Sequence, residues 1–159
     1  MKRLVLALAV LAGPAAGRDA LGVYDGWGAF RDAPPLRCFA IAQPLRKGNG
    51  KWRPFAAVSH WPVQRIRGQV HIRLSREKRY DAAVTLGIDQ RRFAMVASGA
   101  DAWAPDPRID AAIVAAMRSG RSMSIATVAA NGGRFADTYG LKGAATAIDA
   151  AALGCARAR

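Results

Sequence analysis

Residues 106–155 read DPRIDAAIVAAMRSGRSMSIATVAANGGRFADTYGLKGAATAIDAAALGC, and they predict a helix, a hairpin and a second helix at the end of the fold. Asp106 can cap the first helix, and Pro107 suits its first turn, where the N–H group that proline lacks has no intrahelical partner anyway. Apolar side chains recur on one face of this helix, at Ile109, Ile113, Ala116 and Met117. We expect Gly120 to end it in the left-handed conformation.

The remainder of this stretch predicts two strands and an alanine-rich helix. Residues 122–127 alternate polar and apolar side chains, as a half-buried strand does. Asn-Gly-Gly at residues 131–133 supplies the backbone freedom of a tight turn, and the return strand is predicted over residues 134–141. Helix propensity is high over residues 143–153, and we expect Gly154 to stop that helix just before the cysteine that follows.

Short strands at close spacing are predicted upstream of this block. Residues 37–43 and 55–61 are short apolar runs, and a turn at Asp89-Gln90 separates two further apolar segments. The clearest period-two pattern has Val70, Ile72 and Leu74 alternating with His71, Arg73 and Ser75. Many strands followed by few helices indicate a mainly β fold, an antiparallel β-sandwich or curved sheet with two short helices in the C-terminal third.

The N-terminus has the pattern of a signal peptide for export. Positive residues 2–3 precede a nine-residue apolar run and a small-residue segment that ends at Gly17. The alternatives are a buried strand or a membrane anchor, but a spanning helix needs about twenty apolar residues. We therefore expect a signal peptide over residues 1–17 and a single β-rich domain over residues 18–159. Its expected location is the periplasm, the outer-membrane surface or the medium, with no transmembrane segment after signal removal.

The chain has two cysteines, Cys38 and Cys155, which lie near opposite ends of the predicted domain. Export delivers a protein to an oxidising compartment, so a disulfide between them is expected. Such a bridge would fasten the last helix to an early strand. The alternative is a pair of free, buried thiols.

Basic residues outnumber acidic ones by 24 to 11, which gives a net charge of +13. The densest basic set lies in the middle of the chain and comprises Arg65, Arg67, His71, Arg73, Arg76, Lys78 and Arg79. Guanidinium groups present flat forks that suit phosphate and carboxylate. The set therefore predicts an anion-binding surface for anionic lipid, lipopolysaccharide or an acidic envelope protein. The alternative is a compositional effect of GC-rich coding DNA, which would enrich arginine and alanine without selection for binding.

Motifs for catalysis or nucleic-acid binding are absent from the sequence. His60 and His71 have no spacing to other potential ligands that would predict a metal site, and no phosphate-binding glycine loop is present, so no cofactor is expected. No nucleic-acid-binding signature appears, and nucleic acid is not an expected partner. We expect no enzymatic activity. The alternative is an exported hydrolase that uses His60 or His71 as general base, which requires a serine and an aspartate near one of the rings.

Several segments resemble the invasion-associated locus B family. The segments that show this resemblance are the helical residues 110–120, which end in glycine, the sequence Thr-Tyr-Gly-Leu-Lys-Gly at residues 138–143, and the alanine-rich residues 144–150. Upstream, Trp27 with Cys38 is similar to the family's early Trp-to-Cys segment, and residues 92–96 are similar to its mid-chain strand.

The resemblance implies an exported, non-enzymatic protein of the bacterial envelope, in a family named for its association with the invasion of host cells. It transfers no catalytic or binding residue. The cysteines depart from the family pattern, in which they are grouped early and again before the last helix. Cys38 therefore matches only in part, and Cys155 falls outside the pattern.

Overall fold

The computed structural model describes residues 17–46 and 53–156 of the protein. Residues 1–16 of the predicted signal peptide lie outside this part, and Gly17 begins the first strand. The elements are β1 (Gly17–Tyr24), β2 (Trp27–Ala33), β3 (Arg37–Ala42), β4 (Phe55–Trp61), β5 (Ile66–Arg73), β6 (Val84–Ile88), β7 (Arg91–Ser98), β8 (Asp101–Trp103), α1 (Pro107–Ser119), β9 (Ser122–Val128), β10 (Arg134–Gly140) and α2 (Ala144–Ala156). No helix in these residues is long and apolar enough to cross a membrane.

All ten strands belong to one antiparallel sheet, in the order β1-β2-β3-β4-β5-β8-β7-β6-β9-β10. The mainly β, antiparallel fold class is confirmed, in the form of a curved sheet rather than two stacked sheets. The curvature brings the two ends of the strand order together. Trp27 Nε1 on β2 donates to the Gly140 carbonyl on β10 at 2.9 Å, and the Leu45 N–H donates to the Thr138 carbonyl at 2.7 Å. The sheet is nevertheless open, because β1 and β10 do not pair.

Both helices pack on the same face of the sheet. α2 contacts β1, β2, β3 and β4, whereas α1 contacts β5, β6 and β7, and the two helices touch each other. We call this side the helix-covered face and the other side the open face. In β5, Val70 and Ile72 are buried on the helix-covered face, and His71 and Arg73 lie on the open face. The apolar core therefore lies between the sheet and the helices.

α1 begins as predicted. Asp106 Oδ1 accepts hydrogen bonds from the backbone N–H groups of Arg108 and Ile109, at 2.8 and 3.0 Å, and Pro107 occupies the first turn. The prediction of a left-handed Gly120 is wrong, since its φ of −77° and ψ of 160° are extended. Glycine is required there by packing: a Cβ atom would lie only 2.8 Å from Ile88 Cγ2 and 3.0 Å from Leu141 Cδ1.

The predicted end of α2 is also wrong. Gly154 lies inside the helix, which continues to Ala156. A Cβ atom at Gly154 would collide with Leu21 Cδ1 on β1, so this glycine allows close packing of the helix on the sheet rather than ending the helix. The additional turn carries Cys155 to β3.

The predicted disulfide is present between Cys38 and Cys155, which are 117 residues apart and have Cα atoms 5.7 Å apart. It joins β3 to α2 across the buried side of the sheet. A crosslink that closes a loop of this length stabilises a fold by up to about 4–5 kcal/mol in the chain-entropy model. The bridge therefore raises the stability of the fold and holds α2 on β3.

Three strands lie where the sequence predicts none. β1 and β2 form an N-terminal hairpin with a register shift between Ala20 and Gly22, and β8 is a short strand between β5 and β7. The hairpin lacks a long alternation of apolar residues and gains cross-strand ion pairs instead, Arg18 with Asp32 and Arg31 with Asp19. The predicted return strand after the glycine turn is confirmed, and it ends at Gly140 rather than at residue 141.

Candidate functional site

The structure divides the predicted basic set among three places. Arg65 and Arg67 line a groove beside α2, whereas His71 and Arg73 lie on the open face of β5. The remaining members, Arg76, Lys78 and Arg79, belong to the segment between β5 and β6. The set therefore does not form one continuous face.

The groove lies between the β4–β5 turn and the C-terminal end of α2, and its volume is about 570 Å³. Its lining residues are His60, Pro62, Arg65, Ile66, Arg67, Ala152, Leu153, Cys155 and Ala156. Arg65 and Arg67 are exposed and form no ion pair with any residue in the described part of the chain. The groove thus combines two unpaired guanidinium groups with a largely apolar floor. We call it the Arg65–Arg67 groove.

His60 lies on the wall of this groove. Its Nδ1 atom accepts a hydrogen bond from the Gly68 N–H at 3.3 Å, so the proton of the neutral ring is assigned to Nε2. Nε2 is buried and has no hydrogen-bond partner within the described ranges. Burial lowers the pKa of His60, and the nearby charges of Arg67 and Arg118 lower it further. The imidazole is therefore neutral at neutral pH and adds a buried N–H group, not a charge.

On the open face, Asp101 neutralises Arg73. Arg73 Nε and Nη2 donate to the two carboxylate oxygens of Asp101 at 2.9 and 3.0 Å, and His71 Nε2 lies 2.7 Å from Asp101 Oδ1. Burial lowers the pKa of His71, although Asp101 acts in the opposite direction. Burial alone would raise the pKa of Asp101, but the hydrogen bonds from Arg73 and His71 bring it below its usual range. Asp101 is the first residue of β8.

The third group is mostly engaged within the protein. Lys78 is only 8% exposed, and its ammonium group donates to the carbonyls of Arg79 and Tyr80 at 2.9 and 2.6 Å. Arg79 is paired with Asp81 at 2.7 Å. Arg76 is exposed and lies over the Phe135 ring, with its guanidinium carbon 5.7 Å from the ring centroid. Of these three side chains, only Arg76 presents an unmatched charge to solvent.

His71 has the aspartate neighbour that the hydrolase alternative requires, because its Nε2 atom lies 2.7 Å from Asp101 Oδ1. Within residues 17–46 and 53–156, no serine hydroxyl hydrogen-bonds to either ring. Ser59 Oγ accepts from Arg37 Nη2 at 3.0 Å, which places it on the open face, away from the groove that His60 lines. The described residues also contain no group of three or more His, Cys, Asp or Glu side chains suited to a metal ion.

A second cleft lies on the open face, at the end of the sheet near the β4–β5 turn, and the sequence does not predict it. Its volume is about 450 Å³, and its lining residues are Gly17, Arg18, Asp32, Ala33, Pro34, Pro35, Arg37 and Trp61. Arg18 and Asp32 form an ion pair at 2.7 Å on one wall, and Arg37 with Trp61 forms the other. We call it the Arg37 cleft. It shares no lining residue with the Arg65–Arg67 groove.

The alternation of Arg37 and Phe39 in the predicted strand is the one signal that could have indicated this cleft. Side chains two residues apart in a strand lie on the same face, so a strand over residues 37–43 places the arginine beside the aromatic ring. The contribution of Trp61 depends on the pairing of β3 with β4, which brings Phe39 opposite Ser59. That register is not encoded in either segment alone.

No protein-family model matches the sequence, and no curated protein sequence matches it significantly. The fold is similar to the crystal structure of invasion associated protein B from Bartonella henselae, with a TM-score of 0.58 and 18% sequence identity. The similarity covers 84% of this chain and 96% of the other. At this sequence identity, the likeness shows a shared fold.

Proposed function

We propose that this protein is an exported, non-enzymatic protein of the bacterial envelope that acts by binding anionic partners at its surface. The disulfide between Cys38 and Cys155 is the observation that carries the export part of the proposal. Structural disulfides persist in oxidising compartments and are rare in the cytosol. The signal-peptide pattern of the N-terminus and the fold shared with invasion associated protein B support the same conclusion.

The Arg65–Arg67 groove is the part of the predicted basic set best suited to an external anion. Arg73 and Arg79 already have carboxylate partners, and Lys78 is buried, so these three offer little net charge to a ligand. Arg65 and Arg67 are unpaired and stand beside apolar residues such as Leu153, which is 55% exposed. An anionic lipid or lipopolysaccharide offers both a phosphate and an acyl surface, and these match the two parts of the groove.

A vesicle-binding assay tests the anion-binding part. The wild-type protein should bind phosphatidylglycerol vesicles and not phosphatidylcholine vesicles, and binding should weaken as salt rises because the attraction is electrostatic. The double variant Arg65→Ala/Arg67→Ala should bind at least tenfold more weakly. The matched control is Arg73→Ala/Arg79→Ala, which removes the same formal charge from ion-paired positions and should change binding less than twofold. Equal losses in both double variants would show a diffuse charge effect and overturn the assignment to the groove.

Cell fractionation tests the export part separately. We expect the protein outside the cytoplasm, with no thiol available to an alkylating reagent before reduction and two available after it. Recovery from the cytoplasm with both thiols free would contradict export whatever the vesicle result.

A further inference from the structure

Arg37 is a half-buried guanidinium group that is paired with no carboxylate of the described residues. Of the arginines on the open face, Arg18 is paired with Asp32 and Arg73 with Asp101. In the described ranges, Arg37 forms no ion pair, and its one hydrogen bond goes from Nη2 to the Ser59 hydroxyl. Its Nε atom is buried and has no partner among these residues. Partial burial of a charged group without an ion partner costs free energy, so an anion on its exposed edge would be favourable.

Two aromatic rings pack against this planar guanidinium group. Its central carbon lies 4.3 Å from the centroid of the Phe39 ring and 4.8 Å from the Trp61 ring. Among the described residues, Nη1 and the second N–H of Nη2 have no hydrogen-bond partner, and they can donate to a ligand. A planar fork of this kind matches the two oxygens of a carboxylate.

The charge of the cleft favours an anion. The side chains of Arg18 and Arg37 contribute two positive charges, and Asp32 opposes one of them. Removal of the expected signal peptide after Gly17 would add the α-ammonium group of Arg18. A carboxylate offers two oxygens to the free edge of Arg37, as a phosphate also does, but only a carboxylate on a flat body can place that body against Trp61 as well. Burial lowers the pKa of Arg37, and Asp32 acts in the opposite direction.

We propose that the Arg37 cleft binds a carboxylate group carried on a flat or apolar body, with the carboxylate on the edge of Arg37 and the body against Trp61 and the Pro34–Pro35 rim. The ligand class is a small organic carboxylate or the carboxylate of a larger acidic molecule. The site goes beyond the proposed lipid-binding groove, because it lies on the opposite face of the sheet and uses none of the same residues.

A titration followed by NMR tests the proposal directly. Benzoate added to the ¹⁵N-labelled protein should shift the side-chain resonance of Arg37 Nε and the indole resonance of Trp61, saturating in the millimolar range or below. Dimethyl phosphate and inorganic phosphate lack a flat body to lie against Trp61, so each should bind at least fivefold more weakly than benzoate. A larger affinity for either phosphate would identify the cleft as a phosphate site and overturn the carboxylate assignment.

Three variants separate the cleft from its surroundings. Arg37→Lys keeps the charge but loses the fork and should weaken benzoate binding at least tenfold. Arg73→Lys is the matched control, since Arg73 also lies over an aromatic ring, Phe55 at 5.8 Å, but is already paired with Asp101. It should change benzoate affinity less than twofold. Asp32→Asn leaves Arg37 intact and frees Arg18, so it should tighten benzoate binding several-fold.

The Asp32→Asn variant tests the carboxylate assignment of the Arg37 cleft even if Arg37→Lys fails to fold. Unchanged or weaker benzoate binding in Asp32→Asn overturns the proposal, as does an equal loss in Arg37→Lys and Arg73→Lys. The Arg65→Ala/Arg67→Ala variant should retain benzoate binding. Failure of vesicle binding and failure of carboxylate binding can therefore be told apart.

Discussion

The two faces of the sheet bury side chains by different means. On the helix-covered face, Ile72 and Ile125 are fully buried in the apolar core. Neither α1 nor α2 covers the open face, yet Phe39, Ala57 and Ser59 are only 1–3% exposed there. Arg18 and Arg37 lie over the Phe39 ring, and Arg37 also donates to the Ser59 hydroxyl, so long charged side chains contribute to this burial. Burial on the open face is therefore achieved by the same side chains that offer charge to a partner.

This difference bears first on stability. The helix-covered face carries apolar packing and the disulfide, which stabilise the fold, and the Arg65–Arg67 groove lies at its edge beside the end of α2. The open face carries arginine side chains beside aromatic rings, such as Arg18 and Arg37 beside Phe39, and such exposed contacts contribute less to stability than a buried apolar core. Substitutions on the two faces should therefore have effects of very different size on the free energy of unfolding.

The largest effect is expected from removing the disulfide on the helix-covered face. The double variant Cys38→Ala/Cys155→Ala should lose up to about 4–5 kcal/mol of unfolding free energy, because the unfolded chain is no longer closed into a long loop. Urea denaturation measures this loss. Wild-type protein under reducing conditions is the control, since it loses the crosslink but keeps both buried side chains. A loss below about 1 kcal/mol in both samples would show that packing alone holds α2 on the sheet.

A matched pair of valine truncations compares the two faces directly. Val70 is 2% exposed on the helix-covered face of β5, and Val96 is 57% exposed on the open face of β7. Val70→Ala should cost roughly 1–3 kcal/mol because it leaves a cavity. Val96→Ala should change stability by about 0.5 kcal/mol or less. Equal costs in urea denaturation would break the distinction between the faces.

The smallest effect concerns the acid response of His60. Its pKa is lowered in the folded state by burial and by the charges of Arg67 and Arg118, so the unfolded chain binds the proton more readily. The corresponding stability is complete above the unfolded pKa of about 6.5 and is lost as pH falls below it. Between pH 6.5 and 5.5 this loss is at most about 1.4 kcal/mol.

His60→Gln should remove this part of the pH dependence and leave the rest. Thermal unfolding measured at pH 7.5 and at pH 5.5 gives the comparison, with each protein referred to its own value at the higher pH. An identical acid shift in wild type and variant would contradict a lowered pKa at this position.

The elements that short-range rules describe were predicted well. The cap at Asp106 and the helical spacing of Ile113 and Met117 involve residues within a few positions of each other, and α1 forms as expected. The alternation around Val70 and Ile72 likewise assigns the buried side of β5 correctly. These patterns work because each reflects the geometry of one element alone.

The wrong predictions share one physical cause. The local rule that glycine ends helices predicts a left-handed end at Gly120 and a helix stop at Gly154. Both positions need glycine for another reason: Ile88 leaves no room for a Cβ atom at Gly120, and Leu21 leaves none at Gly154. The strand β8, which the sequence does not predict, places Asp101 beside Arg73 through its pairing with β5. In each case the deciding neighbour lies far away in the chain.

The sequence by itself determined the mainly β composition, the first helix, the turn at residues 131–133 and the presence of two cysteines that could join. Tertiary structure alone decided which arginines are paired with carboxylates, which glycines serve packing, and that Arg37 contacts the Trp61 ring as well as Phe39. The reason is the range of the forces involved. Backbone geometry and helix capping act over a few residues, whereas ion pairing and ring stacking depend on the strand register that the whole sheet establishes.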